Sequence, residues 1–378
     1  MFKLITKKRD GRRLGLLKTK HGDLKTPFFM PDATRAFIKL SSADEILATK
    51  TRAMVVNTLH LYLQPGLETI KKAGGVHKFM AWDGPLLSDS GGFQVFSLIH
   101  KNPTMGKIDN DKVVFKSPLN GSLHEFSPEK AIQIQFDLGV DMMVCLDDCP
   151  PNEFSRYDLE KAVERTITWA KRCKLEYLKQ IKKRKLSGLK KPLIFGVIQG
   201  GTELDLREKC TRELVKIGFD GYGFGARHVD KNGRFLEEIL KKTASFIPEN
   251  SLRFALGVGR PGDIKICTQL GWDMFDCVIP TREGRHGKLF LDEEKPLLNK
   301  KNRTKFINIG NAIFNQDFTV INKSSNIKAL KTYSKAYLKH LFQLKEPLGQ
   351  KLAALNNLEF YQKLMTELRE EKQNNKLR

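Results

Sequence analysis

No two of the six cysteines stand as a Cys-x-x-Cys pair, and nothing in their spacing reads as a disulfide framework or a paired-thiol motif. Three of them sit in apolar, strand-like runs, the pattern of buried thiols in a reducing cytosol. No stretch approaches the roughly 20 apolar residues of a membrane span. The start of the chain, Met1 to Arg9, lacks an apolar core of signal-peptide length. The expectation is therefore a cytoplasmic protein with no membrane partner. Internal repeats and low-complexity linkers are absent too, which argues against a solenoid. Acidic residues are in short supply: 43 Asp plus Glu face 66 Lys plus Arg, a formal charge of +23. That excess favours a polyanionic partner, the alternative being a generally Lys-rich background.

The chain's 378 residues allow one large α/β domain with appendages, or two domains. Short apolar runs recur, each followed by a polar or glycine-rich turn and a helical pattern. They are Ala53–Asn57, Pro85–Asp89, Met142–Asp147, Leu193–Gln199, Gly221–Gly225, Phe254–Gly257 and Met274–Val278. Helical stretches lie between them, among them Ser127–Leu138, Leu159–Lys174, Leu204–Ile217 and Gly233–Ala244. Strand–helix alternation implies parallel strands with right-handed crossovers. Seven such runs, with an eighth still to be placed, suit a (β/α)8 TIM barrel; an open doubly wound sheet is the alternative. Asn57, Asp89, Asp147, Gln199, Gly257 and Asp276 fall at or near C-terminal strand ends, the face where such barrels keep their chemistry. Ile99–Leu123 reads as an inserted hairpin turning at Pro118–Gly121. A different α/β unit follows the barrel, with a strand at Lys305–Ile309 and helices around Lys328–Phe342 and Glu359–Lys372. The division expected is 1–293 for the catalytic barrel and 294–378 for a C-terminal subdomain packed on it, with a charged tail from Glu370 that frays. Lys171 to Lys191 carries ten Lys/Arg against one Glu, either a solvated helix end plus loop or a phosphate-contacting arm.

Two aspartates each end an apolar run: Asp89 in Leu86-Leu87-Ser88-Asp89-Ser90-Gly91-Gly92-Phe93, and Asp276 in Asp273-Met274-Phe275-Asp276-Cys277-Val278-Ile279-Pro280-Thr281-Arg282. A carboxylate there is costly to desolvate, so it has a task, a charged partner or a capping role. Two of them suit exchange of a group at a sugar carbon, one attacking and the other moving protons. Ser90, Gly91 and Gly92 add a hydroxyl and open backbone that a flat ligand can approach. Asp147, in Asp147-Asp148-Cys149-Pro150-Pro151, offers acceptors for a purine-like edge, and Gly196-Val197-Ile198-Gln199-Gly200-Gly201 adds an amide. Together these line one mouth suited to a heteroaromatic base.

On these motifs, with Asn57 to Gly66 and Gly257-Val258-Gly259, the chain resembles the bacterial tRNA-guanine transglycosylase family over nearly its whole length. The resemblance implies exchange of the wobble guanine in the tRNA anticodon loop for a 7-deazaguanine base. It implies that Asp276 attacks C1′ of the ribose, giving a covalent intermediate, and that Asp89 is the general acid/base. Ser90, Gly91, Gly92, Phe93, Asp147, Gln199, Ala226 and Arg227 are then expected to bind the base. Gly257, Arg260, Thr281, Arg282, Gly284 and Arg285 are expected on the RNA. The target base must leave its stack to be reached. The family's homodimer is implied as well, and is weakened as a transfer by the metal positions that follow. Rival readings are a non-catalytic tRNA-binding paralogue and base exchange on another nucleic acid.

Two departures from the family stand out. Its structural zinc ligands correspond here to Ser325, Ile327, Leu330 and Asn356, so no zinc and no other cofactor is expected. Its base-reading loop appears as Gly225-Ala226-Arg227-His228-Val229-Asp230-Lys231. If Arg227 and Lys231 both approach the pocket, their charges oppose a 7-aminomethyl base and favour 7-cyano-7-deazaguanine or guanine.

Overall fold

The computed structural model describes residues 1–291 and 305–370. Eight parallel strands form its centre: β1 (Phe28–Pro31), β2 (Met54–Asn57), β3 (Leu86–Asp89), β4 (Met142–Val144), β5 (Leu193–Ile198), β6 (Gly221–Phe224), β7 (Leu252–Ala255) and β8 (Met274–Cys277). They neighbour one another in chain order from β2 to β8, and β8 pairs with β1. The ring closes where Asp32 bridges Val55, with the Ala33 N–H donating to the Val55 carbonyl at 2.7 Å and the Asn57 N–H to the Thr34 carbonyl at 3.1 Å. The fold is therefore a (β/α)8 barrel and not an open sheet. All seven strands expected from the apolar runs are present. Patterning does not reveal β1, because its four residues are hemmed by Pro27 and Pro31, and proline reads as a break.

The strands are apolar on both faces, as a barrel demands. β5, Leu-Ile-Phe-Gly-Val-Ile, is buried along its whole length. Phe28, Met30, Val55, Phe195, Val197 and Met274 belong to the interior cluster, joined by Leu17 and Leu24 of an N-terminal antiparallel sheet. The main outer helices are α1 (Gly92–Lys101), α2 (Pro128–Leu138), α3 (Arg156–Lys183), α4 (Leu204–Ile217), α5 (Glu237–Phe246), α6 (Pro261–Gln269) and α7 (Ile279–Arg285). α2 shows how sequence sets their ends. Ser127 caps the Lys130 N–H at 3.2 Å, Pro128 occupies the first turn, and Gly139 turns left-handed at φ 75.

The insertion differs from expectation. Ile99 is buried within α1, and the hairpin is a three-stranded antiparallel sheet of Gly106–Ile108, Val113–Lys116 and Leu123–Phe126. The basic Lys171–Lys191 run is the end of α3 and its loop. Arg172 is paired there with Glu129 at 2.7 Å, and Arg184 with Asp137 at 2.5 Å. Beyond the barrel, Lys288–Phe290 pairs antiparallel with Phe306–Asn308. The expected boundary at 293/294 lies outside the described residues, as does the tail after Glu370. The expected helix around Lys328–Phe342 is broken at Tyr333 and Ser334, where Ser334 caps a new helix, Lys335–Gln343. The last helix, α8 (Pro347–Glu370), begins twelve residues before the expected Glu359, because Pro347 suits a first turn.

α8 is fixed to the barrel by polar contacts as well as apolar ones. Asn357 donates to the carbonyls of Pro280 at 3.0 Å and Lys288 at 2.9 Å, and Tyr361 donates to the Gly259 carbonyl at 2.5 Å. The four positions expected to correspond to the family's zinc ligands lie around this helix. Leu330 is fully buried, with Ile327 packed beside it. Asn356 accepts from Asn322 at 3.0 Å and donates to the Phe290 carbonyl at 2.9 Å. Ser325 donates to the buried Glu359 carboxylate, which also takes the Asn326 N–H at 2.6 Å. A hydroxyl, an amide and two apolar side chains do not fit zinc, which takes thiolate, imidazole or carboxylate ligands. A hydrogen-bonded knot around Glu359 holds this corner together instead. Glu359→Leu should therefore strand the Ser325 hydroxyl and Asn326 N–H and cost about 2–4 kcal/mol by urea unfolding. The same titration on wild-type protein should be unmoved by a zinc chelator.

Candidate active site

The C-terminal strand ends converge on a cavity of about 280 Å³. That is the small end for ligand pockets and suits a base rather than a whole nucleotide. Asp89 closes β3 and points into it. Its Oδ1 accepts the N–H groups of Thr58 at 3.2 Å and Gly91 at 3.1 Å; its Oδ2 accepts the amides of Asn57 at 2.6 Å and Gln94 at 3.4 Å. Burial nevertheless pushes its pKa up to about 7, aided by the charge of Asp276. Gly91 makes the turn into α1 at φ 77, where a Cβ would lie 2.8 Å from Leu59 Cβ, so no other residue fits without a shift.

Asp276 stands on β8. The Gly257 N–H, at the end of β7, donates to its Oδ1 at 2.7 Å. Its Oδ2 accepts no hydrogen bond from another described residue and is left for a ligand. Burial raises its pKa to about 6, against the effect of that N–H.

Asp147 and Gln199 follow β4 and β5. The Gln199 amide donates to Asp147 Oδ2 at 2.6 Å, while Gln199 Oε1 is buried without a partner. Such an orphan acceptor is a reason to expect a donor on the ligand. Burial lifts Asp147 to about 7. A Cβ at Gly225 would lie 2.4 Å from Gln199 Nε2, so that glycine leaves room for the amide.

Of the residues expected on the base, Ser90, Gly91, Phe93, Asp147 and Ala226 line the cavity beside Asp89, and Gln199 is bonded to Asp147 behind it. Gly92 is buried behind them as the first residue of α1. Arg227 is exposed and is not among the lining residues. Its carbonyl is taken by Asn152 at 2.9 Å. Lys231 is exposed as well. The premise that both cations approach the pocket is thus not met: both side chains are exposed and neither lines the cavity. Gly257 lines the cavity. Arg260 and Arg282 are exposed and Arg285 is half-buried, and none of the three lines the cavity. Thr281 is buried, its hydroxyl donating to the Val278 carbonyl at 3.1 Å. Gly284 is pressed against α8, where a Cβ would lie 2.7 Å from the Ala354 backbone.

The structure adds Asp32, the residue after β1, which also lines the cavity. Burial and the charges of Asp276 and Asp89 push its pKa well up, with Arg282 acting against them. Sequence reading misses it because the run that it ends, Phe28–Pro31, follows one proline and closes on another. At the opposite end of the barrel, His21, His77 and Asp141 bring three possible metal-ligand atoms within 4.8 Å. There Asp141 already accepts the N–H groups of Leu86 at 3.0 Å and His21 at 3.2 Å, and both imidazoles hydrogen-bond or pair with it. All six cysteines are free, and no described helix is long and apolar enough to cross a membrane.

The family model for queuine tRNA-ribosyltransferase matches residues 9–378. The chain belongs to the queuine tRNA-ribosyltransferase family. Queuine tRNA-ribosyltransferase of Halothermothrix orenii is 41% identical over 370 residues, which is 97% of this chain and 92% of that protein. The protein of that name from Pelotomaculum thermopropionicum is 41% identical over 359 residues, 95% and 90% of the two chains. The Staphylococcus aureus protein of that name is 40% identical over 369 residues, 97% and 90%. By family this is a pentosyltransferase of the tRNA-guanine transglycosylase type.

Asp147 makes the electrostatic cost of such a queuine tRNA-ribosyltransferase site measurable. Its folded pKa is raised, so its neutral form is favoured in the native state. The stability it contributes is complete below the unfolded value near 4 and is lost as pH rises through about 7. Asp147→Asn keeps an acceptor for Gln199 and cannot ionise. It should be more stable than wild type by about 2 kcal/mol at pH 8 and by little at pH 5, as read by denaturant titrations at the two pH values.

Proposed function

We propose that this protein exchanges the wobble guanine of tRNA for a 7-deazaguanine base through a covalent Asp276–ribose intermediate. The observation that carries this reading is the pairing of Asp276 with Asp89 across one base-sized cavity. Asp276 has one oxygen anchored on the Gly257 N–H and the other open. Asp89 is held by four donors and shifted to where it can both give and take a proton near neutrality.

Asp276 Oδ2 attacks C1′, and the C1′–N9 bond breaks. Its electron pair leaves with guanine, which takes the proton held by Asp89. The entering base gives its N9 proton to Asp89 and attacks C1′. The C1′–O bond breaks and the Asp276 carboxylate is restored. Asp147 and Gln199 supply acceptors for the donor edge of the base, consistent with the unpartnered Gln199 Oε1. Arg260, Arg282 and Arg285, with the +23 net charge, are suited to the phosphates of the anticodon loop.

Incubation with labelled guanine and tRNA, followed by mapping of the label, tests the reading. Wild-type protein should place label at the wobble position. Asp276→Asn should lower exchange by about a thousandfold or more, because an amide is not a nucleophile here. Asp89→Asn should slow exchange comparably while tRNA affinity stays within about twofold. An Asp276→Asn variant with wild-type turnover would end the assignment. In the free enzyme the first step needs Asp276 ionised and Asp89 protonated. The profile of kcat/KM should therefore be bell-shaped, rising through about pH 6 and falling above about pH 7. tRNA affinity should fall steeply with salt, by about tenfold or more between low and moderate ionic strength. A flat salt profile would count against RNA.

A further inference from the structure

Around the cavity mouth the strands divide into two halves. On one side, the ends of β4, β5 and β6 carry Asp147, Gln199 and Ala226, the groups suited to a base edge. On the other side, β8, β1, β2 and β3 carry Asp276, Asp32, Asn57 and Asp89 in ring order. Strand register places Asp32 closely. Pro31 is opposite Cys277, so Asp32 is the next residue beyond the nucleophile's strand pair. On its other flank Asp32 bridges Val55, two residues before the Asn57 whose amide holds Asp89. Asp32 thus stands between the attacking carboxylate and the proton-carrying one, away from the base-reading half.

Its carboxylate accepts no hydrogen bond from any described residue, in contrast to Asp89, Asp147 and Asp276. A partly buried carboxylate without a donor is costly unless a ligand provides one. Its neighbours restrict what that donor can be. Beside the C1′ that Asp276 attacks, the sugar offers a ring oxygen, which has no proton, and a 2′-hydroxyl. In RNA the 3′ and 5′ oxygens are esterified to phosphates and have no proton to donate.

We propose that Asp32 accepts a hydrogen bond from the 2′-hydroxyl of the ribose under attack, and so makes the enzyme select a ribonucleotide over a deoxyribonucleotide. The inference rests on Asp276 being the nucleophile. Positive charge grows at C1′ as the base leaves, so a hydrogen bond that draws electron density onto the adjacent hydroxyl strengthens in the transition state. The 2′-hydroxyl is also the group by which proteins distinguish RNA from DNA.

The test compares two anticodon stem-loops, one all-ribo and one with 2′-deoxyguanosine only at the exchanged position. Guanine exchange is followed with wild type, Asp32→Val and Asp32→Asn. Wild type should prefer the ribo substrate by about tenfold or more in kcat/KM. Asp32→Val should reduce that preference to about twofold or less by slowing the ribo substrate, with the deoxy substrate unchanged or faster. Asp32→Asn keeps an acceptor and should retain a clear ribo preference. If Asp32→Val slows both substrates equally, the residue is structural and the inference fails. If wild type exchanges the ribo substrate without preferring it, the inference fails while the proposed reaction stands. If wild type exchanges guanine into neither, the reaction itself is wrong and the inference goes with it.

Discussion

Everything at the mouth of this barrel depends on keeping several carboxylates together in a space too small to hydrate them. Asp32, Asp89, Asp147 and Asp276 all line one cavity, and burial is the largest influence on each, shifting all four toward the protonated form. A fold dictated by stability alone would not collect them. The barrel tolerates them because strand ends and helix starts supply N–H groups and amides at fixed places, Thr58 and Gly91 for Asp89 and Gly257 for Asp276. Asp89 and Asp147 are pushed up to about 7 and Asp276 to about 6, the range that the proposed reaction needs of an attacking carboxylate beside a proton carrier.

The C-terminal residues serve this arrangement from behind. Asn357 and Tyr361 of α8 hold the carbonyls of Pro280 and Gly259, in the two segments that flank Asp276 and its Gly257 anchor. Gly284 lets α7 press on α8 without a side chain between them. The Glu359 knot fixes the outer end of the same helix with hydrogen bonds, where the family's pattern has metal ligands. Rigidity of the surroundings of Asp276 is thereby tied to a helix more than 70 residues away in sequence.

Much of the barrel was legible because its strands are buried on both faces, leaving seven apolar runs separated by helical patterns. β1 was not, since three residues between prolines carry no periodicity, and with it went Asp32. Asp89 and Asp276 were legible as acids ending such runs, and Asp147 and Gln199 as polar groups at strand ends. The exposure of Arg227 was not legible, because its loop is held by Asn152, 75 residues away in sequence. The burial of Thr281 and Gly284 likewise follows from packing on α8, which no local pattern announces. The turn at Pro118–Gly121 was legible and joins Val113–Lys116 to Leu123–Phe126, whereas the added first strand, Gly106–Ile108, is only three residues long and carries no pattern.

The most direct measurement is to trap wild-type protein with an anticodon stem-loop in the absence of an incoming base, denature it, digest both polymers and locate the crosslink by mass spectrometry. The account predicts a ribose adduct on the peptide carrying Asp276, with guanine released. An adduct on the peptide of Asp32 or Asp89, or guanine release with no adduct at all, would contradict it.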